Sequence, residues 1–354
     1  MKAIIKREIK SYLKNPIFWA GLVILTVGIY QLLAPYLKIH YFDSDEEIQN
    51  IKVEVISDAD IMDGYIPAAS EEQVELGSER IKETLMHKLE MTETEADEVI
   101  RGMKGMNVSE AEKYLQNYDF YGSEWVFHDY QYKQGSMEEV NGYISEKLEE
   151  HTFSYYFSRK FADFGGLYMA FFSVILFAFL FFQDTKKNNY ELLHTKPIRA
   201  WQYVVGKAGG GFMIGLIALG VLNVVFMTLC YICAKESGFP MNPADFLFAT
   251  CVYILPNMLM IICVYTIAAL LFKNPLPAIP LLFLYIVYSN MGSAGPDGNY
   301  GYYGRPLAIM VRFPGDFFDT SPPPYVLLNQ LFLIVTSAAL IILASWIWKR
   351  RRVY

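Results

Sequence analysis

The chain has 354 residues, 53% of them hydrophobic and 16% aromatic, and a mean hydropathy of +0.22, values that ordinary soluble domains do not reach. Its formal charge of -7 averages two unlike parts, because residues 38–163 hold 29 acidic against 12 basic side chains and the remainder 8 against 18. That division excludes a basic nucleic-acid-binding chain, so no nucleic acid is expected as a partner, and it fits a membrane body with basic inner loops joined to an acidic outer domain.

Residues 1–16 read as a cytoplasmic amphipathic interfacial helix. Ile5, Ile9 and Leu13 recur every four residues with lysines on the other face, ahead of a break at Asn15 and Pro16, as in a helix lying on the inner leaflet. A purely topogenic basic cluster is the alternative. Residues 17–37 carry no charge and suffice for the ~20 residues that cross a hydrocarbon core of ~30 Å. This first transmembrane helix is too long for a signal-peptide core and lacks a small-x-small cleavage site, so it is expected to stay as an anchor.

Residues 38–163 form the acidic, mainly α-helical extracellular domain. Ile51, Val53 and Val55 alternate with Lys52 and Glu54, which suggests a short strand. Ile81, Leu85 and Leu89 repeat with helical spacing. Thr94-Glu-Ala-Asp97 and Ser109-Glu-Ala-Glu112 superimpose at an offset of fifteen and read as capping boxes opening two paired helices. Residues 120–133 are aromatic-rich and fit a strand or a loop, and a helix over 137–161 leads back to the membrane. Asp58, Asp60, Asp63 and Gly64 hint at a calcium loop, but Met62 stands where a ligand is needed. No metal site is expected.

Residues 164–348 supply five further transmembrane helices, completing an all-α polytopic fold with six. Uncharged runs at 164–182, 208–234, 246–272 and 326–348 are long enough; 276–291, interrupted by Pro277 and Pro280, is a half-length or broken sixth span. Without it the two basic ends of the chain would lie on opposite sides. With it, fifteen basic residues of the short loops and ends share one side, including the tail 349–354, and only Lys235, Arg305 and Arg312 face the other. The positive-inside rule then puts both termini in the cytoplasm. Cys230, Cys233, Cys251 and Cys263 fall in spans; Cys230 and Cys233 share a helical face and read as soft packing residues ahead of a metal or redox pair.

No nucleotide-binding G-x-x-x-x-G-K-[ST], no H-E-x-x-H and no nucleophile elbow occurs. The chain by itself is therefore expected to be no enzyme and to hold no cofactor. The spans as drawn contain no ionisable residue, whereas carriers driven by ion gradients place such groups at mid-membrane. The energy for any transport is expected from outside the bilayer.

The loop 183–207 between the second and third spans carries Glu191, Leu192, Leu193, Thr195, Pro197, Ile198, Arg199, Trp201, Tyr203, Gly206 and Lys207. This pattern resembles the coupling segment of type-2 ABC exporter permeases, Glu-x-Leu-Leu-x-Thr/Ser-x-Pro-Ile/Val followed by aromatics and Gly-Lys. The resemblance implies a permease that dimerises with itself or a sibling and contacts two copies of a separate ABC ATPase subunit, which holds ATP and Mg, through residues 191–199. It also implies that the region 289–325, rich in Gly, Tyr and Pro, is a partly re-entrant outer gate with Arg305, Pro306 and Arg312 as candidates. The implied cargo is an amphipathic or hydrophobic molecule such as a peptide, antimicrobial or lipid, moved across the cell membrane. A membrane-anchored receptor whose acidic domain binds a peptide or partner protein is the rival reading.

Overall fold

A computed structural model describes residues 1–51, 53, 59–182, 184, 198–294, 300, 301 and 304–350. The expected strand around Ile51 to Val55, Asp58 and the tail beyond Arg350 fall wholly or partly outside the described residues. Two compact units make up the chain: Met1–Leu37 together with His151–Tyr354, and Lys38–Glu150.

At the amino terminus, α1 (Lys2–Leu13) is followed by α2 (Pro16–Leu33). The Asn15 side chain accepts from the Ile17 amide, and Pro16 sits in the first turn, where its missing N–H leaves no bond unmade. The buried stripe of α1 is Glu8 and Tyr12, so the Ile5-Ile9-Leu13 face is only partly covered.

The unit Lys38–Glu150 holds α3 (Asp45–Asn50), β1 (Tyr65–Pro67), α4 (Ser70–Lys88), α5 (Glu93–Met103), α6 (Val108–Gln116), α7 (Ser123–His128), β2 (Tyr132–Gln134) and α8 (Met137–Glu150). Its core joins Val74, Ile81 and Leu85 to Val99, Met103, Leu115 and Phe127. The helical pair is as expected, but each start lies two residues earlier than predicted. Thr92 with Glu95, and Asn107 with Glu110, form the capping boxes, because a side chain at the N-cap reaches the amide three residues on. Residues 120–133 supply α7 and lead into β2, which pairs antiparallel with β1 at Ile66 and Lys133. Asp60 and Asp63 cap a short turn closed by Gly64 in a left-handed conformation, which accounts for the calcium-like spacing.

The remaining helices are α9 (Phe153–Phe182), α10 (Ala200–Ser237), α11 (Ala244–Phe272), α12 (Ala278–Asn290) and α13 (Val326–Arg350). Among the described residues five helices, α2, α9, α10, α11 and α13, are long and apolar enough to cross a membrane. α12 has 13 residues and rises only ~20 Å. The predicted boundary at Asp163 differs from the observed one. The acidic unit closes at Glu150, and Arg159, Lys160 and Asp163 are already inside α9, since a helix continues through polar residues wherever they find partners. In α11 the turn Thr250–Ile254 widens to i→i+5 bonds just before Pro256, which relieves the clash of the proline ring with the preceding turn.

Contacts between helices fix which ends share a level. At one end Ile4 abuts Gly206, and Tyr203, Val204, Leu270, Ala344 and Trp348 form one cluster; α1, the start of α10 and the ends of α11 and α13 meet there. At the other end the Phe153 amide donates to the Pro240 carbonyl at 2.9 Å, and Tyr36 packs on Phe317. An aromatic ladder along α9, Phe153, Phe157 and Phe161, contacts Phe239, Phe246, Phe226 and Phe317. These α9 rings are fully buried, so they pack the interior.

Candidate functional site

The loop that resembles a coupling segment leaves α9 and returns at α10. Glu191, Leu192, Leu193, Thr195 and Pro197 lie outside the described residues, while its two roots, Asp184 on one side and Ile198 and Arg199 on the other, are described. Those roots are tied together by buried charge. Lys207 Nζ lies 2.6 Å from Asp184 Oδ2 and 3.0 Å from Glu8 Oε1, and it donates to the Leu180 carbonyl at 2.9 Å. The Tyr203 hydroxyl donates to Asp184 Oδ2 at 2.9 Å. All three charged side chains are less than a tenth exposed, so their attraction acts with little solvent screening.

The knot joins three elements: α1 through Glu8, the end of α9 through Leu180 and Asp184, and α10 through Tyr203 and Lys207. α13 is attached through Tyr203, which stacks on Trp348 at 3.9 Å with 17° between the rings, and Ile198 packs against the same cluster. A second anchor runs from the Tyr12 hydroxyl to the Leu176 carbonyl, 2.7 Å.

Close approach of α1 to α10 depends on glycine. A Cβ at Gly206 would stand 3.2 Å from Ile4, and one at Gly210 would stand 3.0 Å from the Glu8 side chain. One turn on, Gly211 and Gly215 face the other way, toward Ile262, Leu180 and Met258, where a Cβ would come within 2.3–2.9 Å. The glycine run thus has two faces, one for α1 and one for α9 and α11, which is how membrane helices reach close backbone contact. Of this site the sequence flagged Tyr203, Gly206 and Lys207. Glu8, Asp184 and the wider glycine run were missed; the pointer was a lone glutamate on an otherwise basic helix, together with Gly-x-x-Gly-Gly-Gly.

The region 289–325 contains a buried strap. Ala308, Ile309, Met310, Val311 and Phe313 are each no more than 5% exposed. Its backbone is satisfied by side chains: Tyr285 donates to the Leu307 carbonyl, Asn329 to that of Ala308, and the Ile309 amide donates to Ser289. Such pairing is what irregular backbone at membrane depth requires. Arg312 bridges Asp163 of α9 and Asn290 of α12, and Lys160 donates to the Phe313 and Gly315 carbonyls. Arg305 donates to the Gly292 carbonyl at 2.7 Å and lies over the Tyr288 ring, and Pro306 accepts from the Tyr288 hydroxyl. The three gate candidates therefore belong to one folded segment. Of the ionisable groups of the long helices, Asp163 and Lys207 are ion-paired and lie toward opposite ends of the bundle, while Arg159 and Lys160 donate to backbone carbonyls.

Among the described residues no cluster of His, Cys, Asp or Glu could hold a metal ion. The cysteines are free, with Cys230, Cys233 and Cys263 buried and Cys251 exposed.

Among the described residues, five long apolar helices packed around an aromatic interior define a multi-pass α-helical membrane protein. Residues 140–289 match the family model described as ABC-2 family transporter protein. The matched stretch runs from within α8 to nearly the end of α12 and includes the loop, and over it the chain is similar to ABC-2 family transporter proteins. No curated protein and no solved structure matches the chain.

Proposed function

We propose that the chain is the membrane-spanning subunit of an ATP-driven exporter for an amphipathic or hydrophobic substrate. It crosses the cytoplasmic membrane six times, with both termini in the cytoplasm and the acidic unit, residues 38–150, outside. The observation that carries this reading is the coupling-like sequence at 191–199, lying inside the ABC-2 match and rooted in the knot that joins four helices. Charge supports the orientation: the end of the bundle that holds α1 and the end of α13 carries the lysines and arginines of α1, Arg199, Lys207, Lys273, Lys349 and Arg350, as the inner side should.

In this reading Leu192 and Leu193 seat in a groove of the ATPase, while Glu191, Thr195, Pro197, Ile198 and Arg199 set the shape and charge of the contact. ATP and Mg stay on that partner, in two copies, and a second permease chain or a sibling completes the transporter, with lipid around it. Movement of the loop drives α1, α9, α10 and α13 together because Lys207 and Tyr203 bind them into one block. At the far end the strap 304–313, locked to α9 through Arg312 and Asp163, is the outer gate.

The test is co-purification of the ATPase with the full chain. Replacing Leu192 and Leu193 by Asp should abolish the association and the stimulated hydrolysis while leaving membrane insertion intact; an unchanged complex would refute the loop assignment. Removal of residues 45–160 separates this reading from the receptor reading. An exporter keeps basal coupled hydrolysis, whereas a receptor loses its whole response.

A further inference from the structure

Between the strap and the first turns of α13 lies a cleft of ≈210 Å³. Its walls are apolar, with Met310 and Val311 on one side and Leu328 and Phe332 on the other. Two polar groups interrupt them. Arg305 Nε and Asn329 Oδ1 are both buried and both lack a hydrogen-bond partner, although other atoms of the same side chains are bonded to the Gly292 and Ala308 carbonyls. Among the described residues no carboxylate lies within ion-pair distance of Arg305, whereas Arg312 has Asp163. A guanidinium that lines an apolar cleft, with an unpartnered Nε and no carboxylate beside it among the described residues, points to an anionic partner.

The position of the cleft says which partner. Leu327, Leu328, Leu331 and Phe332 form an outward face of α13 that is about half exposed or more, so this face meets lipid when α13 spans the bilayer. Residues 326–332 are its first two turns, within ~10 Å of its end, the depth of headgroups and upper acyl chains. Tyr325, 80% exposed, stands at the rim as an interfacial aromatic. Leu307 and Tyr325 both adopt left-handed backbone, φ +58° and +60°, conformations that cost non-glycine residues energy and recur at ligand clamps.

We propose that this cleft is a binding site for one phospholipid, with the phosphodiester accepting from Arg305, a headgroup hydroxyl donating to Asn329 Oδ1, and an acyl chain along Val311, Leu328 and Phe332. The site depends only on α13 lying in the bilayer and not on the transport reading. Occupancy ties a lipid to the strap and to α13 at once.

Native mass spectrometry of the full chain, titrated with dioleoyl phosphatidylglycerol, dioleoylglycerol or inorganic phosphate, tests it. Phosphatidylglycerol should saturate one site per chain. Arg305→Ala and Leu328→Trp should each weaken that site about tenfold or more, the size expected for losing a charged hydrogen bond or blocking the cleft. Leu328 is half exposed, so its substitution leaves the fold intact even if Arg305→Ala does not. Arg305→Lys should retain binding. Equal binding of dioleoylglycerol, displacement of the lipid by free phosphate, or parental affinity in both weakened variants would overturn the proposal.

Discussion

Lys207→Met removes the buried positive charge shared by Glu8 and Asp184, leaving Glu8 only the largely exposed Arg7 at 4.0 Å. At contact distances of 2.6 and 3.0 Å, each ion pair carries a Coulomb attraction of ~5–6 kcal/mol at an effective dielectric of 20, most of it offset by desolvation of the ammonium. Deletion of one partner reverses the balance, because two carboxylates, each less than a tenth exposed, are then left close together without their shared cation. Breaking a buried pair typically costs ~3–5 kcal/mol. At ~2–4 °C per kcal/mol for a body of this size, the melting temperature in detergent should fall by ~10 °C. Glu8→Gln with Asp184→Asn in the same background should restore most of it, since what destabilises is the uncompensated charge and not the lost contact. Melting followed by tryptophan fluorescence reports directly, because Trp348 stacks on Tyr203 beside the knot. A Lys207→Met protein melting within a degree of the parent, or a triple variant no better than the single one, would show that the knot is solvated and that the argument is wrong.

Four other outcomes follow from the same geometry. Gly210→Leu should detach α1 and expose it to protease, whereas Gly220→Leu, where an added Cβ meets nothing within 4 Å, should leave digestion unchanged. Arg312→Gln should free the strap from Asp163 and raise basal dye leakage in liposomes, while the conservative Arg312→Lys leaks less; equal leakage in both would sink the latch. In the acidic unit, the Ser136 amide, then Lys133, then the Ser136 hydroxyl pull the Glu139 carboxyl down to about 2, and Lys133 lowers Glu72. Depressed carboxylates stabilise above their unfolded pKa and lose that effect as pH falls through the folded value. Hydrogen exchange at α8 should therefore rise between pH ~4.5 and ~2, and Lys133→Met, at a largely exposed cluster, should change stability by no more than ~1 kcal/mol. Finally, Lys207→Met and Arg312→Gln should be non-additive in coupled ATPase activity, since independent distant sites add.

Spans were legible because uncharged runs of twenty residues have one physical meaning, and the helical pair α5–α6 was legible because its caps repeat. The error of two residues at each cap arose because Thr92-Glu-Thr-Glu95 and Thr94-Glu-Ala-Asp97 both satisfy the pattern, and only packing of Val99 and Met103 chooses between them. Drawing α9 from Phe164 instead of Phe153 came from treating charge as a helix boundary. Arg159, Lys160 and Asp163 are tolerated because Thr320, Phe313, Gly315 and Arg312 receive them, partners more than a hundred residues away. The knot was illegible for the same reason: Glu8, Asp184 and Lys207 belong to segments that nothing in the sequence pairs. The glycine run could have been read as close packing, but not which helix each face receives.

The long-range partners also argue for α9 as the element that would carry a push through the membrane. Asp163 near its start holds the strap through Arg312, and Asp184 just past its end holds Lys207 and, through it, α1. Some 21 residues separate the two carboxylates, ~31 Å along a helix axis, close to the thickness of a hydrocarbon core. A continuous helix transmits displacement along its axis with little loss, whereas α11, with its widened turn before Pro256, is built to bend. In the proposed exporter, force entering at the loop root would therefore have a stiff route to the strap through α9 and a compliant neighbour in α11. That combination would let one end of the bundle move the other without unfolding either.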